Sequence, residues 1–317
     1  LFMDHLGVSP KDYLVRFRVE RACTLLRTSL SVAEIARSVG YDDPQRFARF
    51  FGNFPSSLIV MEACGSAHFW ARTLQAQGHE VRLLPAQYVR AYVRRNKTDA
   101  ADAAALLEAA RSPDLRPVPV KTVEQQQLQH LHRVREQLKS TRTGRINLLR
   151  GMLREFGIAI PVGLARGRTA VREALEIADN GLPDLLRPMI AETLQEITAL
   201  SERIARIEAT LTALTRTDPV VQCLLELPGV GLLGASALRA AVGDIQRFPT
   251  GRHFASWLGL TAREHSSAET RRLGRISKQG DTYLRTLLVH GARSALCAAA
   301  RAHAEGRPLD RLRTWAL

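Results

Sequence analysis

Three carboxylates carry the first chemical signal in this chain. Glu62 closes the apolar run Leu58–Met61, and Asp99 and Asp102 stand three residues apart at the start of an Ala/Leu-rich stretch. Side chains at i and i+3 share a helix face. One carboxylate at a strand end and two on a helix face would form an oxygen cage for Mg²⁺, a hard cation that takes carboxylate ligands and keeps several waters. Two such ions clamp the attacking and leaving oxygens of a phosphodiester. Arg90, Arg94, Arg95 and Lys97 precede Asp99 and suit a site that receives a phosphate backbone. The alternative at the same residues is a solvated helix with ordinary ion pairs.

The elements that must position these groups read as one α/β unit. After a turn at Gly52, Asn53 and Pro55 comes the strand ending at Glu62, and Gly65 permits a strand-to-helix turn. SAHFWARTLQAQ reads as a helix stopped by Gly78, and HEVRLLPA as a second strand closed by Pro85. The helical stretches QYVRAYVRR and KTDAADAAALLEAARS follow. Strand, helix, strand, helix implies a parallel sheet.

Elsewhere the pattern is helical. Residues 1–51 read as helix, glycine turn at Gly40 and second helix, a helix-turn-helix pattern. Ser31 is placed to N-cap the first of these, with Glu34 at the capping-box position. Gln45, Arg46 and Arg49 would lie on the exposed face of the second, where base and phosphate contacts are made. Glu124–Phe156 predicts a long helix, basic through Arg133, Arg135, Arg142, Arg145, Arg150 and Arg154, and able to meet nucleic acid. Leu194, Ile197, Leu200, Ile204, Ile207, Leu211 and Leu214 recur in steps of three and four, a seam for an antiparallel hairpin or for a dimer. Pro228-Gly229-Val230-Gly231 lies between two helical stretches, as in a helix-hairpin-helix. Glycines at such a turn let backbone N–H groups approach a phosphate at a helix N-terminus.

Bulk properties narrow the partner. The 317 residues suffice for two or three domains, and 45 Lys+Arg against 31 Asp+Glu leave a net charge of +14. Such a balance favours a polyanionic partner, most often nucleic acid. Cys23, Cys64, Cys223 and Cys297 form no CxxC pair and read as reduced, buried thiols of a cytoplasmic protein, neither a disulfide frame nor a zinc site. No apolar run approaches a membrane span, no signal peptide is apparent, and no membrane partner is expected. The chain opens on Leu, as a fragment or an alternative start codon would give.

Two family resemblances add to this reading. GVSPKDYL, RVERACTLL and LSVAEIARSVGYDDPQRFARFF resemble the C-terminal end of AraC-type transcription regulators. What remains of that bipartite reader is the tail of its first helix-turn-helix, the linking helix and the second unit. MEACGSAHFWARTL, GHEVRLLPAQYV, KTDAADAAALLEAA and VPVKTVEQQQLQHLHRVREQL resemble the DEDD-type insertion-sequence transposases related to the pilin-gene invertase, the bridge-RNA-guided recombinases. This second resemblance runs from about Phe50 to at least Ala300. It implies a RuvC-like, ribonuclease-H-type domain with four acidic ligands. Glu62 falls on the family's Glu, and Asp99 and Asp102 on its Asp pair. The family's first-strand Asp has no counterpart, because AraC-like sequence stands in its place and the two parents meet near Phe47–Gly52. FASWLGLTAREHSSAETRRLGRISKQGDTYLRTLLVHGARSAL resembles the same family's C-terminal domain. It implies a serine nucleophile at Ser267, with Ser266 as the adjacent alternative. Ala268, Glu269 and Thr270 replace the family's glycines and lysine there. Arg271, Arg272, Arg275, Lys278 and Arg285 are expected to neutralise phosphates.

The expected architecture is mostly α with a truncated α/β unit, RuvC-like by resemblance. Its domains would be a partial helix-turn-helix (1–51), the truncated catalytic unit (52–120), a helical hairpin or coiled coil (121–217) and a C-terminal domain with the helix-hairpin-helix and the serine (218–317). The expected function is DNA transposition through a phosphoseryl intermediate. Mg²⁺ on Glu62, Asp99 and Asp102 would assist it, the missing Asp limits it, and a guide RNA and a homo-oligomer are implied by the resemblance. The alternative is an AraC-type DNA-binding regulator fragment carrying a passenger transposase remnant.

Overall fold

The computed structural model describes residues 48–49, 51–92, 99–113, 115–267, 270–311 and 314. The chain divides into two compact units, Leu1–Thr122 and Val123–Leu317. As expected, it is mostly helical.

In the first unit β1 (Leu58–Glu62) leads through α1 (Ala67–Ala76) to β2 (Glu80–Leu84). The strands pair in parallel, from Leu58 opposite Glu80 to Glu62 opposite Leu84. The short α2 (Ala86–Val89) runs into a 3₁₀ turn, Arg90–Tyr92, and α3 (Asp99–Arg111) follows. The reason α1 docks is its spacing. Ala67, Trp70, Ala71 and Leu74 fall at i, i+3, i+4 and i+7, one apolar stripe. It buries against Phe51, Val81 and Leu83. Phe51 thus ties the segment that precedes β1 into this core. Buried His79 fastens the same region: the Ser57 N–H donates to Nδ1 (3.3 Å), leaving Nε2–H to donate to the Phe51 carbonyl (2.9 Å). Val118 adds an isolated antiparallel bridge to Leu83. Its return segment is pinned to α1 by Arg72 donating to the Lys121 carbonyl (2.6 Å) and by the Lys121 N–H donating to His68 Nδ1 (3.2 Å).

In the second unit α4 (Val123–Glu155) and α6 (Arg187–Thr215) form an antiparallel hairpin, with α5 (Leu164–Glu176) and a 3₁₀ turn, Asp184–Leu186, between them. Ile146, Leu149 and Leu153 pack with Ile190, Leu194 and Ile197 at one end. Leu138 meets Leu200 and Ile204 midway, and Leu128 meets Leu211 at the other end. The heptad-like seam is therefore used inside the chain, and only Leu214 at its end stays half exposed. Much of the basic pattern on α4 is spent here too. Arg135 pairs with Glu208 (2.7 Å), Arg145 with Glu196 (2.6 Å), and Arg142 donates to Ser201.

After the hairpin come α7 (Pro219–Leu225), α8 (Leu232–Val242) and α9 (Gly251–Trp257). The antiparallel ribbon β3 (Ala262–Glu264) and β4 (Leu273–Ile276) precedes the long α10 (Thr282–Ala304). Ala237, Leu238, Val242, Leu258 and Leu284 form the core of this part. Among the described residues no helix is long and apolar enough to cross a membrane. The described cysteines, Cys64, Cys223 and Cys297, are free as expected, but they are exposed and not buried. Cys64 lies in the connection after β1, and Cys223 and Cys297 lie on the exposed sides of α7 and α10, a facing that composition and spacing alone do not give.

Candidate functional site

Glu62 is the last residue of β1 and is exposed. Its backbone is fixed by the register with Leu84, and the next residue, Ala63, donates its N–H to the Leu84 carbonyl (2.8 Å). Asp99 opens α3, and its side chain lies outside the described residues. Asp102 is half buried. It precedes Ala105 and Ala109 by three and seven positions, on the face that packs against Leu84 and Val60 of the strands. Strand end and helix face thus belong to one packed unit, as the spacing implies. Among the described residues no three His, Cys, Asp or Glu side chains gather as a metal cage. The donors available at Glu62 and Asp102 are hard oxygens, the ligand type Mg²⁺ takes.

The second cluster lies in the other unit, on the β3–β4 ribbon. Every described residue of the two strands is exposed. Beyond them His265 donates its N–H to the Arg272 carbonyl (2.8 Å), and Ser267 and Thr270 exchange backbone hydrogen bonds (3.2 and 3.1 Å). Ser267 therefore sits at the last paired position before the turn, whose Ala268 and Glu269 lie outside the described residues. Its neighbour has a different setting. Ser266 donates its hydroxyl to Glu264 Oε1 (2.7 Å) and accepts the Arg272 N–H (3.1 Å). Arg271 reaches the same Glu264 oxygen at 3.6 Å. Arg272, Arg275 and Lys278 are exposed, so the ribbon presents a serine pair among cations.

The base of the ribbon is built by two glycines and an arginine. Gly259 has φ +70°, and a Cβ there would stand 2.7 Å from the Gly280 nitrogen and 2.8 Å from that of Gln279. A Cβ on Gly280 would in turn collide with the Trp257 and Leu258 backbone. Between these crossings the Lys278 N–H donates to the Gly259 carbonyl (3.0 Å). Arg285 closes the base: it donates to the carbonyls of Leu258 (3.1 Å) and Gly280 (3.2 Å) and to the Thr282 hydroxyl (3.2 Å). It is buried. The expected phosphate-neutralising role of Arg285 is thereby corrected. With three of its five N–H donors engaged by the Leu258 and Gly280 carbonyls and the Thr282 hydroxyl, the buried guanidinium is a poor anion receiver.

The glycine turn before α8 divides in the same way. Gly229 has φ +86° and abuts the backbone of Gly291 on α10, where a Cβ on either would overlap the other chain segment. Gly231 N-caps α8 in extended backbone, and a Cβ there would meet open space. Gly229 thus has a packing duty that the motif did not announce. Arg49 is exposed, while Gln45 and Arg46 lie outside the described residues.

A polar junction that sequence reasoning missed links α4, α8 and α10. Ser236 donates its hydroxyl to the Leu232 carbonyl (2.6 Å), so it accepts from His132 Nε2–H (3.0 Å). Nδ1 is then free to accept the Tyr283 hydroxyl (2.9 Å). Burial, reinforced by the Arg135 charge, lowers the His132 pKa from 6.5 to about 4. The junction borders a groove of about 470 Å³ whose lining includes Arg133, Glu136, Asp281 and Tyr283. No local signal marks it, because the partners stand 104 and 151 positions apart.

Comparison with known proteins finds matches over both units. A family model described as DEDD transposase of the IS110 type matches residues 43–158, spanning the three carboxylates. A second, described as the transposase IS116/IS110/IS902 family, matches residues 221–306, spanning the ribbon. A helix-turn-helix model matches residues 1–55. A probable family 20 transposase of Pseudomonas aeruginosa is 47% identical over 83% of this chain and 78% of its own length. The transposase for insertion sequence element IS1111A of Coxiella burnetii is 39% identical over 75% of this chain, which spans 65% of that relative. At the N-terminus, the lactose operon transcription activator of Staphylococcus xylosus is 46% identical over 52 residues, 16% of this chain and 19% of its own length. With 47% identity sustained over most of both chains, this protein belongs to the IS116/IS110/IS902 family of transposases.

Proposed function

We propose that this chain carries out DNA strand exchange by attack of a ribbon serine on a phosphodiester. The observation that carries the reading is the exposed β3–β4 ribbon, which sets Ser266 and Ser267 among Arg271, Arg272, Arg275 and Lys278. Attack would form an Oγ–P bond and a phosphoseryl–DNA intermediate. The ribbon cations would hold the flanking phosphates, with Gly231 at the α8 N-terminus as a further backbone contact. Ser267 is the nucleophile that family resemblance favours.

Glu62, Asp99 and Asp102 would hold Mg²⁺, which when bound stabilises charge developing on phosphate oxygens. The family's first-strand Asp has no counterpart, so the ion would be held by three protein carboxylates and occupancy would need high Mg²⁺. The RuvC-like reading of the first unit, the four-domain division at 51, 120 and 217, a guide RNA and a homo-oligomer belong to this proposal by family resemblance. Because the α6 seam is used within the chain, any oligomer would need another surface.

The test incubates the purified chain with duplex carrying the ends of its own element and an RNA transcribed from the element's flank, across a Mg²⁺ titration. A protease-sensitive serine–DNA adduct rising with Mg²⁺ is expected. Its absence at every concentration, with binding intact, would end the proposal. A second reading, favoured by the helix-turn-helix match over residues 1–55, makes the N-terminal segment a sequence-specific DNA reader in which Gln45, Arg46 and Arg49 make the contacts. Equal affinity for random and selected duplexes would dispose of it.

A further inference from the structure

We propose that the outer edge of β1 is a docking surface for the β1 edge of a second copy of this chain, paired antiparallel about Val60. The inference names a surface for the homo-oligomer proposed above. It rests on the geometry of the strand and not on the DNA chemistry.

The ladder shows which backbone groups are open. The Glu80 N–H donates to the Ser57 carbonyl (3.1 Å), and the Ala63 N–H to the Leu84 carbonyl (2.8 Å). A parallel ladder engages every second residue of a strand, so Ser57, Ile59, Met61 and Ala63 turn their backbone groups toward β2. Leu58, Val60 and Glu62 turn theirs the other way. The Glu62 carbonyl accepts the Cys64 N–H (2.8 Å). Among the described residues the other outward groups of these three meet no hydrogen-bonding partner. The outer edge of β2 differs, because the Val118 N–H donates to the Leu83 carbonyl there (2.7 Å).

The side chains of β1 are those of an interior strand. Ile59 and Met61 pack against the α1 core, and Val60 packs with Leu84, Val89 and Ala105 on the α3 side. A strand covered on both faces belongs inside a parallel sheet, whereas edge strands are protected by charge, proline or a bulge. Leu58–Met61 has no charge and no proline, and Leu58 is 49% exposed. An added extended backbone completes such an edge.

Charge selects the direction. A second β1 added parallel and in register would set the two Glu62 residues side by side, about 4.8 Å apart, and adjacent like charges oppose pairing. Antiparallel pairing about Val60 sets each Glu62 opposite Leu58 of the second copy. The two Glu62 residues then stand about 14 Å apart, four residues at about 3.4 Å each. The Val60 residues exchange both of their open hydrogen bonds, and Leu58 and Glu62 of opposite copies pair on either side. The arrangement is two-fold symmetric, so it closes at a dimer.

The test is sedimentation velocity of the full chain from about 1 to about 200 µM, where a small interface of this kind should give a concentration-dependent dimer. Val60→Pro removes an N–H that faces away from β2, a position at which a strand tolerates proline. It should keep the wild-type circular dichroism spectrum and weaken dimerisation by about tenfold or more, since symmetry removes two hydrogen bonds at once. A second pair of variants leaves the backbone alone and decides the matter if Val60→Pro fails to fold. Leu58→Glu sets like charges opposite each other and should weaken the dimer by about fivefold, while Leu58→Lys faces Glu62 and should leave it as tight or tighter. A wild-type monomer throughout, or equal weakening by Leu58→Glu and Leu58→Lys, would overturn the proposal. A dimer indifferent to every variant would also overturn it while leaving a homo-oligomer through another surface. Because mass is the only readout, a failure of strand exchange leaves the result standing.

Discussion

Acidification should loosen the second unit through His132. The ring is 3% exposed and is held neutral by the relay from the Leu232 carbonyl through Ser236 to Tyr283. Burial first, and the Arg135 charge second, lower its pKa from 6.5 to about 4. Below pH 6.5 the unfolded chain takes up a proton at this position, while the folded chain refuses it until about pH 4. Stability from this group is therefore fully present above pH 6.5 and is lost as pH falls toward 4. At 1.36 kcal/mol per pKa unit, the loss amounts to about 3 kcal/mol across that window. Urea unfolding of wild type and His132→Gln at pH 7.5, 6.5, 5.5 and 4.5, followed by circular dichroism, isolates the effect, since other titrating groups cancel in the difference. The variant should be less stable at neutral pH because it breaks the relay. The gap should then close by about 3 kcal/mol toward pH 4. Parallel pH curves for the two proteins would refute the assignment of His132 as a neutral buried group.

Other consequences can be checked alongside. Ile197→Ala, at a fully buried seam position, should cost about 3 kcal/mol without making the unfolding midpoint depend on protein concentration; a concentration-dependent midpoint would instead place the seam between chains. Gly259→Ala meets a positive φ worth about 1–2 kcal/mol and a crowded backbone, and should lower the melting temperature by at least about 4 °C in calorimetry. Arg271→Ala and Arg275→Ala should each reduce the slope of log DNA affinity against log salt by about 1, while Arg285→Ala leaves the slope alone and destabilises the ribbon base by about 2 kcal/mol. Equal slope changes for all three would mean that the buried guanidinium reaches DNA after all.

Much of this protein is legible in its sequence because the governing signals are local. Apolar spacing over Ala67–Leu74 and the period of Leu194–Leu211 define helix faces wherever those helices dock. The apolar run to Glu62 and the turn residues beside it mark the strand, and the ribbon's serines and arginines are adjacent in the chain. Only tertiary structure decided what these faces meet. The seam could serve a dimer or a hairpin until Ile190, Leu194 and Ile197 were seen against Ile146, Leu149 and Leu153. Arg285 resembled a phosphate ligand until its donors were found on Leu258, Gly280 and Thr282. Gly229 belonged to a phosphate-binding pattern until Gly291 was found against it. His132 carried no local signal, since its hydrogen-bond partners lie more than a hundred residues away. Periodicity and residue type fix what a side chain is able to do. Burial and hydrogen-bond partners depend on distant segments of chain, and these decide which of those abilities it retains.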